Sequence, residues 1–196
     1  MFTQKNPILF AVCGDPKKAA LIEYNTFLES GYIKPNRYER VLEYDRFEGT
    51  SEFFQLYDTR ISEIIAVVRY ITRKSPELCR SDFQTLSDFE IEERYLKMLR
   101  EIDSDKLYEI GTISIVKKRR SIHTLMTLFQ GIGNLHEERQ YKTGLASMDR
   151  KLFYIFKNLV NRNLFNVKEN KKVTVKKIGI EKIYMGSVTI PMMYTC

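Results

Sequence analysis

Ile64-Ile65-Ala66-Val67-Val68 is an unbroken apolar, mostly β-branched run closed by a charged residue, Arg69. β-Branched side chains pack well on a pleated surface and lose rotamer freedom in a helix. A run without polar alternation suits a strand covered on both faces, so Glu63–Thr72 is predicted as a central strand. Two further β-rich segments, 40–45 and 52–58, precede it, separated by Gly49-Thr50-Ser51 and Asp58-Thr59-Arg60. Turn residues between short strands predict an antiparallel meander.

Helix signals flank this meander. Residues 8–13 read as a strand stopped by Gly14-Asp15-Pro16, with Asp15 as cap and Pro16 opening a helix that Gly31 ends. Residues 73–88 are polar and predict a loop; 90–101 carry Ile91, Tyr95, Met98 and Leu99 on one helical face. Residues 107–116 predict a strand with Gly111 in its middle, where a bulge or close backbone approach is favoured. Ser121 caps a helix to about residue 138, 142–148 form a strand, Asp149 caps a helix to about 161, and 173–195 supply one or two closing strands. The 196 residues, 43% hydrophobic and 29% charged, are expected to form a single α/β domain over 1–196.

Charge is distributed unevenly. Residues 1–110 carry 16 Lys/Arg against 20 Asp/Glu, a net of −4, whereas 111–196 carry 16 against 5, a net of +11. A basic half suits an anionic partner, or a solvated lysine-rich face. The apolar runs are too short to span a bilayer, and the N-terminal residues lack the roughly 7–15-residue apolar stretch of a secretion signal, so a cytoplasmic protein is expected. Three widely spaced cysteines (Cys13, Cys79, Cys196) predict free thiols, and His123 and His136 lack carboxylates at ligand spacing, so no metal is expected.

Five segments narrow the assignment: Glu43-Tyr44-Asp45; Ala66-Val67-Val68-Arg69; Tyr108-Glu109-Ile110-Gly111-Thr112-Ile113-Ser114-Ile115; Met148-Asp149-Arg150-Lys151-Leu152; and Tyr184-Met185-Gly186-Ser187-Val188-Thr189-Ile190-Pro191. Their order and the strand–helix alternation resemble the GNAT acyltransferases, in the branch of N-acyl amino acid synthases and acyl-homoserine lactone (autoinducer) synthases. The resemblance implies a mixed α/β (α+β) sheet with an N-terminal antiparallel meander, a splayed strand and flanking helices. It departs from the family at Thr112, where an arginine is expected, and at Lys117-Lys118-Arg119-Arg120-Ser121-Ile122-His123, which replaces a glycine-rich pyrophosphate loop. The absence of tryptophan favours the amino acid branch over the lactone branch.

The implied reaction moves a fatty acyl group from a phosphopantetheine thioester to the amine of an amino acid or related small amine, with no tightly bound cofactor. Such aminolysis needs a base for the amine proton, and Glu109 and Glu43 are the candidates. Arg69 ends an apolar strand, where an unpaired charge is costly; it either holds a substrate carboxylate or pairs with Glu43 or Asp45. Asp45 is a second candidate for acceptor binding. Gly111, Thr112, Ile113, Ser114 and Ile115 are assigned to the pantetheine arm, whose amides need only backbone groups. Arg119, Arg120 and Ser121, before a helix N-terminus, suit the phosphate or the acidic surface of acyl carrier protein. The missing glycines favour carrier protein over coenzyme A. Tyr154 is either a packing tyrosine or the acid that protonates the leaving thiolate.

Two other functions fit the sequence. Lys168-Glu169-Asn170-Lys171-Lys172-Val173-Thr174-Val175-Lys176-Lys177 with 117–120 offers contacts to nucleic acid phosphates, although no nucleic-acid-binding signature accompanies them. An acetyl-coenzyme A-dependent N-acetyltransferase shares the fold. A catalytically inactive relative is a third reading, raised by Thr112 and the missing glycine loop.

Overall fold

The computed structural model describes residues 7–73, 75–161, 173–184 and 186–195. Its strands are β1 (Ile8–Val12), β2 (Ser51–Asp58), β3 (Glu63–Thr72), β4 (Leu107–Ile115), β5 (Thr143–Asp149), β6 (Thr174–Lys177), β7 (Lys182–Tyr184) and β8 (Ser187–Thr195). The helices are α1 (Pro16–Glu29), α2 (Gln84–Asp88), α3 (Glu93–Arg100), α4 (Ile122–Arg139) and α5 (Arg150–Asn161). The described residues divide into two units, Met1–Tyr70 with Thr112–Gly131, and Ile71–Gly111 with Ile132–Cys196.

In the first unit the strand order is β1-β2-β3-β4, and β1 runs antiparallel to β2. The β-branched run of β3 is buried from Ile65 to Ile71, as expected of a central strand. Asp15 caps α1 by accepting from the Lys18 N–H at 3.1 Å, Pro16 stands in the first turn, and Gly31 follows with φ +72°. Cys13, Ala19, Phe53 and Val67 close a core against which Ala20, Ile22 and Ile64 pack.

One predicted strand is absent. Residues 40–45 do not extend; Leu42–Phe47 forms a 3₁₀ helix, with the Tyr44 N–H bonded to the Val41 carbonyl at 3.0 Å. Val41, Tyr44 and Phe47 are all buried. Their spacing of three matches the 3₁₀ repeat, which stacks side chains on one edge, and outweighs the local β preference.

In the second unit the order is β4-β5-β8-β6, with β7 against β8. β4 and β5 are parallel, whereas β8 is antiparallel to β5, β6 and β7, so the sheet is mixed. The predicted loop at 73–88 contains a 3₁₀ turn, Arg80–Asp82, and then α2. Phe83, Leu86 and Phe89 are buried at a spacing of three, which anchors this polar stretch. Asp149 caps α5 by accepting from the Lys151 N–H at 2.8 Å, and α5 packs on β5, β6 and β8. Among the described residues no helix is long and apolar enough to cross a membrane.

Gly144 illustrates how tightly this sheet closes. It is the direct cross-strand neighbour of both Tyr108 and Tyr194. The two phenol hydroxyls hydrogen-bond to each other above it, and the Tyr108 oxygen is 2.5 Å from where a Cβ would stand. Only a residue without a side chain fits there. His136 joins the pair through Nδ1, 3.2 Å from the Tyr108 hydroxyl, and its burial pushes its pKa down to about 3.

Candidate active site

Glu109 sits in β4 of the second unit with no exposed surface. Its Oε1 accepts from both the Thr85 N–H at 2.9 Å and the Thr85 hydroxyl at 2.6 Å. Among the described residues Oε2 has no hydrogen-bond partner. Burial, with a smaller push from the Asp88 charge, raises the carboxyl pKa to about 7, against the opposing effect of the bonds from Thr85 and the Gln84 backbone. A carboxyl balanced between its two forms near neutrality can accept and release a proton at little cost. Thr85 belongs to α2, and its neighbour Gln84 donates through Nε2 to the hydroxyl of Tyr184 in β7 at 2.6 Å.

The β4–β5 ladder pairs Leu107 with Thr143 and ends at Ile110 with Ala146. Glu109 therefore lies within the ladder, opposite Leu145, while 111–115 lie past its end. Along this last stretch Thr112 and Ser114 are buried, and Gly111, Ile113 and Ile115 are half-buried. Alternate residues of a strand point to opposite faces, so the half-buried face is apolar and the buried one carries hydroxyls.

In the first unit Arg69 meets neither Glu43 nor Asp45. Its Nε and Nη2 donate to the two carboxylate oxygens of Glu23 in α1, at 3.0 and 2.5 Å. The Thr112 hydroxyl donates to the same carboxylate. The guanidinium lies 4.7 Å from the ring centroid of Tyr44 and 4.4 Å from that of Phe53. Glu23 is fully buried and Arg69 is 8% exposed, so this is a desolvated, bidentate ion pair flanked by aromatic rings. Glu43 is half-buried on the 3₁₀ helix, and Asp45 pairs with Arg40 at 2.8 Å.

The basic segment forms a 3₁₀ turn, Lys117–Arg119, whose side chains are exposed. Arg120 turns back, pairing with Glu29 at 3.2 Å and donating to the Ile115 carbonyl at 3.1 Å. The Ser121 hydroxyl accepts from the Thr124 N–H at 3.1 Å, capping α4. Tyr154 on α5 is 54% exposed, with its ring edge-on to Phe153. Met192 and Met193 are core residues of β8. Met185, Cys196 and residues 168–172 of the lysine-rich stretch lie outside the described residues.

The family model described as "Acetyltransferase (GNAT) domain" matches residues 22–130, more than half of the chain. The chain belongs to the GNAT acetyltransferase family. No curated protein matches it in sequence. Among solved structures it is similar to FeeM, an N-acyl amino acid synthase from uncultured soil microbes, with a TM-score of 0.64 and 14% identity over 95% of this chain and 89% of that one. It is similar to BjaI, a CoA-dependent acyl-homoserine lactone synthase solved with SAM and isopentyl-CoA, with a TM-score of 0.63 and 12% identity over 92% and 75%. A GNAT family acetyltransferase from Elizabethkingia anophelis, solved with acetyl-CoA bound, gives a TM-score of 0.52 and 13% identity over 98% and 100%. The mixed α/β architecture and flanking helices are those of the GNAT fold, and the enzyme class of the family is N-acyltransferase.

For a GNAT enzyme, two of the most closely engaged residues were invisible in sequence. Glu23 reads as an ordinary helix-surface acid between Ile22 and Tyr24, yet it is the partner of Arg69 and Thr112. Thr85 falls in a stretch read as loop. The available signal was the spacing of Phe83, Leu86 and Phe89, which marks a buried helical turn and so places Thr85 beside the core.

Proposed function

We propose that this GNAT enzyme transfers an acyl group from the phosphopantetheine thioester of acyl carrier protein to the amine of an amino acid, with Glu109 as the proton acceptor. The observation that carries the reading is the Glu109 carboxyl: buried, raised to about 7, and with Oε2 unpartnered among the described residues. The amine nitrogen attacks the thioester carbonyl carbon and forms the N–C bond. The C–S bond then breaks, giving an amide and a thiolate. The nitrogen sheds its proton to Glu109 and the thiolate takes one up, so the products are an amide and a free thiol. Tyr154 is assigned the second transfer, supported by its exposed position on α5.

The donor arm is placed along 111–115, past the end of the β4–β5 ladder, where the half-buried Gly111, Ile113 and Ile115 suit a pantetheine chain. The exposed cations of Lys117–Arg119 suit the acidic surface of carrier protein. Arg69, held by Glu23, acts as a fixed charge that orders Tyr44 and the 3₁₀ helix carrying Glu43 and Asp45. A second reading, an acetyl-coenzyme A-dependent N-acetyltransferase, is favoured by the description of the matching family model.

Mass spectrometry of lipid extracts from cells overproducing the protein tests the function. An N-acyl amino acid that appears with the wild type and not with Glu109→Gln supports the reading. Acetylated amines alone support the second reading, and no new amide from any acceptor contradicts both.

A further inference from the structure

Lys182, on β7, is held differently from Lys177 of β6 and Arg150 of α5. Lys177 and Arg150 both pair with Glu181. Lys182 has no carboxylate partner among the described residues. Its Nζ donates to the Asp88 carbonyl at the end of α2 and lies 4.5 Å from the ring centroid of Phe89 and 5.3 Å from that of Tyr184. Those rings are themselves 6.1 Å apart. The side chain is half-buried, so its ammonium is held in place by aromatic faces rather than left free in water. An ammonium has three donors, and the Asp88 carbonyl uses one of them.

The same Tyr184 connects this cation to Glu109. Its hydroxyl accepts from Gln84, the next residue is Thr85, and both the N–H and the hydroxyl of Thr85 bond to Glu109. All of these residues belong to one unit. Arg69 already spends its Nε–Nη2 edge on Glu23.

Resting on the acyl-transfer reading of Glu109, we propose that Lys182 is a specificity-determining residue that holds the carboxylate of the acceptor, so that the acceptor class is α-amino acids rather than simple amines. The two ammonium donors left after Asp88 take the carboxylate oxygens in charge-assisted hydrogen bonds. In an α-amino acid the amine is attached to the carbon that bears the carboxylate. A single grip at Lys182 therefore orients the nitrogen that Glu109 deprotonates.

The test compares the proteinogenic L-amino acids with their amides as acceptors for the purified protein. Decanoyl-acyl carrier protein and decanoyl-coenzyme A serve as donors, with free thiol and amide product both measured. The wild type is expected to favour at least one acid over its amide about tenfold or more in kcat/KM, the range for a hydrogen bond to a charged group. Lys182→Gln is expected to abolish that preference by lowering kcat/KM for the acid to that for its amide, and Lys182→Arg to keep it. Transfer by the wild type without acid–amide discrimination, or discrimination that survives in Lys182→Gln, overturns the role of Lys182 and leaves the acyltransferase reading standing. No transfer to any amine by the wild type overturns both.

Discussion

Arg69 and Glu23 are 46 residues apart in the chain and meet edge to edge, two guanidinium nitrogens on two carboxylate oxygens, with almost no surface left to water. Removing one member strands the other as a buried charge, which costs about 3–5 kcal/mol. Glu23→Ala and Arg69→Met are each expected to lose stability on that scale in denaturant unfolding. The double variant is expected to lose much less than the sum, because neither charge is then stranded. Additive losses would show that the pair carries no coupling. Thr112→Val deletes only a hydroxyl donor to Glu23 and is expected to cost about 1–2 kcal/mol.

Two buried groups give the stability curve opposite slopes with pH. Folding raises the Glu109 pKa to about 7 from an ordinary 4.5. Its stabilising contribution is present below about 4.5 and is lost as pH rises towards 7. Folding lowers the His136 pKa to about 3 from 6.5, so its contribution is present above 6.5 and is lost as pH falls towards 3. Between about 4.5 and 6.5 the two offset each other. Relative to wild type, Glu109→Gln is therefore expected to gain stability from pH 5 to 8, by up to about 3 kcal/mol. His136→Gln is expected to flatten the acid limb. Urea melts across this range check both signs, and parallel curves for all three proteins would contradict them.

Gly144→Ala is expected to destabilise the second unit by about 1–3 kcal/mol or more, since its methyl would overlap the hydroxyl of Tyr108 and the ring of Tyr194. Tyr108→Phe in the same background removes one of the clashing oxygens and is expected to recover part of the loss. Thermal melts of the single and double variants read this directly.

Much of the framework was legible in the sequence because its signals are local. Asp15-Pro16 and Gly31 bracket α1, Ser121 and Asp149 cap α4 and α5, and the β-branched run of β3 is buried from Ile65 onward. The 3₁₀ helix at Leu42–Phe47 was not legible, because a six-residue segment containing Leu42, Tyr44 and Phe47 satisfies strand propensity as well as a three-residue repeat. At the site, Glu109 stood out as an acid between apolar neighbours. Its partner Thr85 and the partner of Arg69 did not, because a hydrogen bond across 24 or 46 residues leaves no periodic trace. Thr112 shows the same limit. Read alone it is a missing arginine; in the structure its hydroxyl serves Glu23.

The exposed basic turn is expected to contribute to carrier protein binding unequally along its length. Arg119→Glu, which reverses an exposed charge, is expected to weaken acyl carrier protein binding about tenfold in a titration at low salt, with a loss that shrinks as salt rises. Arg120→Glu also breaks the pair with Glu29, so it is expected to lower the melting temperature as well. Unchanged affinity in Arg119→Glu would remove the turn from the docking surface.

The proton-accepting role of Glu109 is tested most directly by the pH dependence of kcat/KM for acyl transfer. With the carboxyl raised to about 7 and active when ionised, the rate of the wild type is expected to climb with pH and level off above an inflection near that value. Glu109→Gln, folded and binding the donor normally, is expected to run at least tenfold slower with the inflection gone. A variant that keeps both the rate and the inflection would contradict the role given to Glu109.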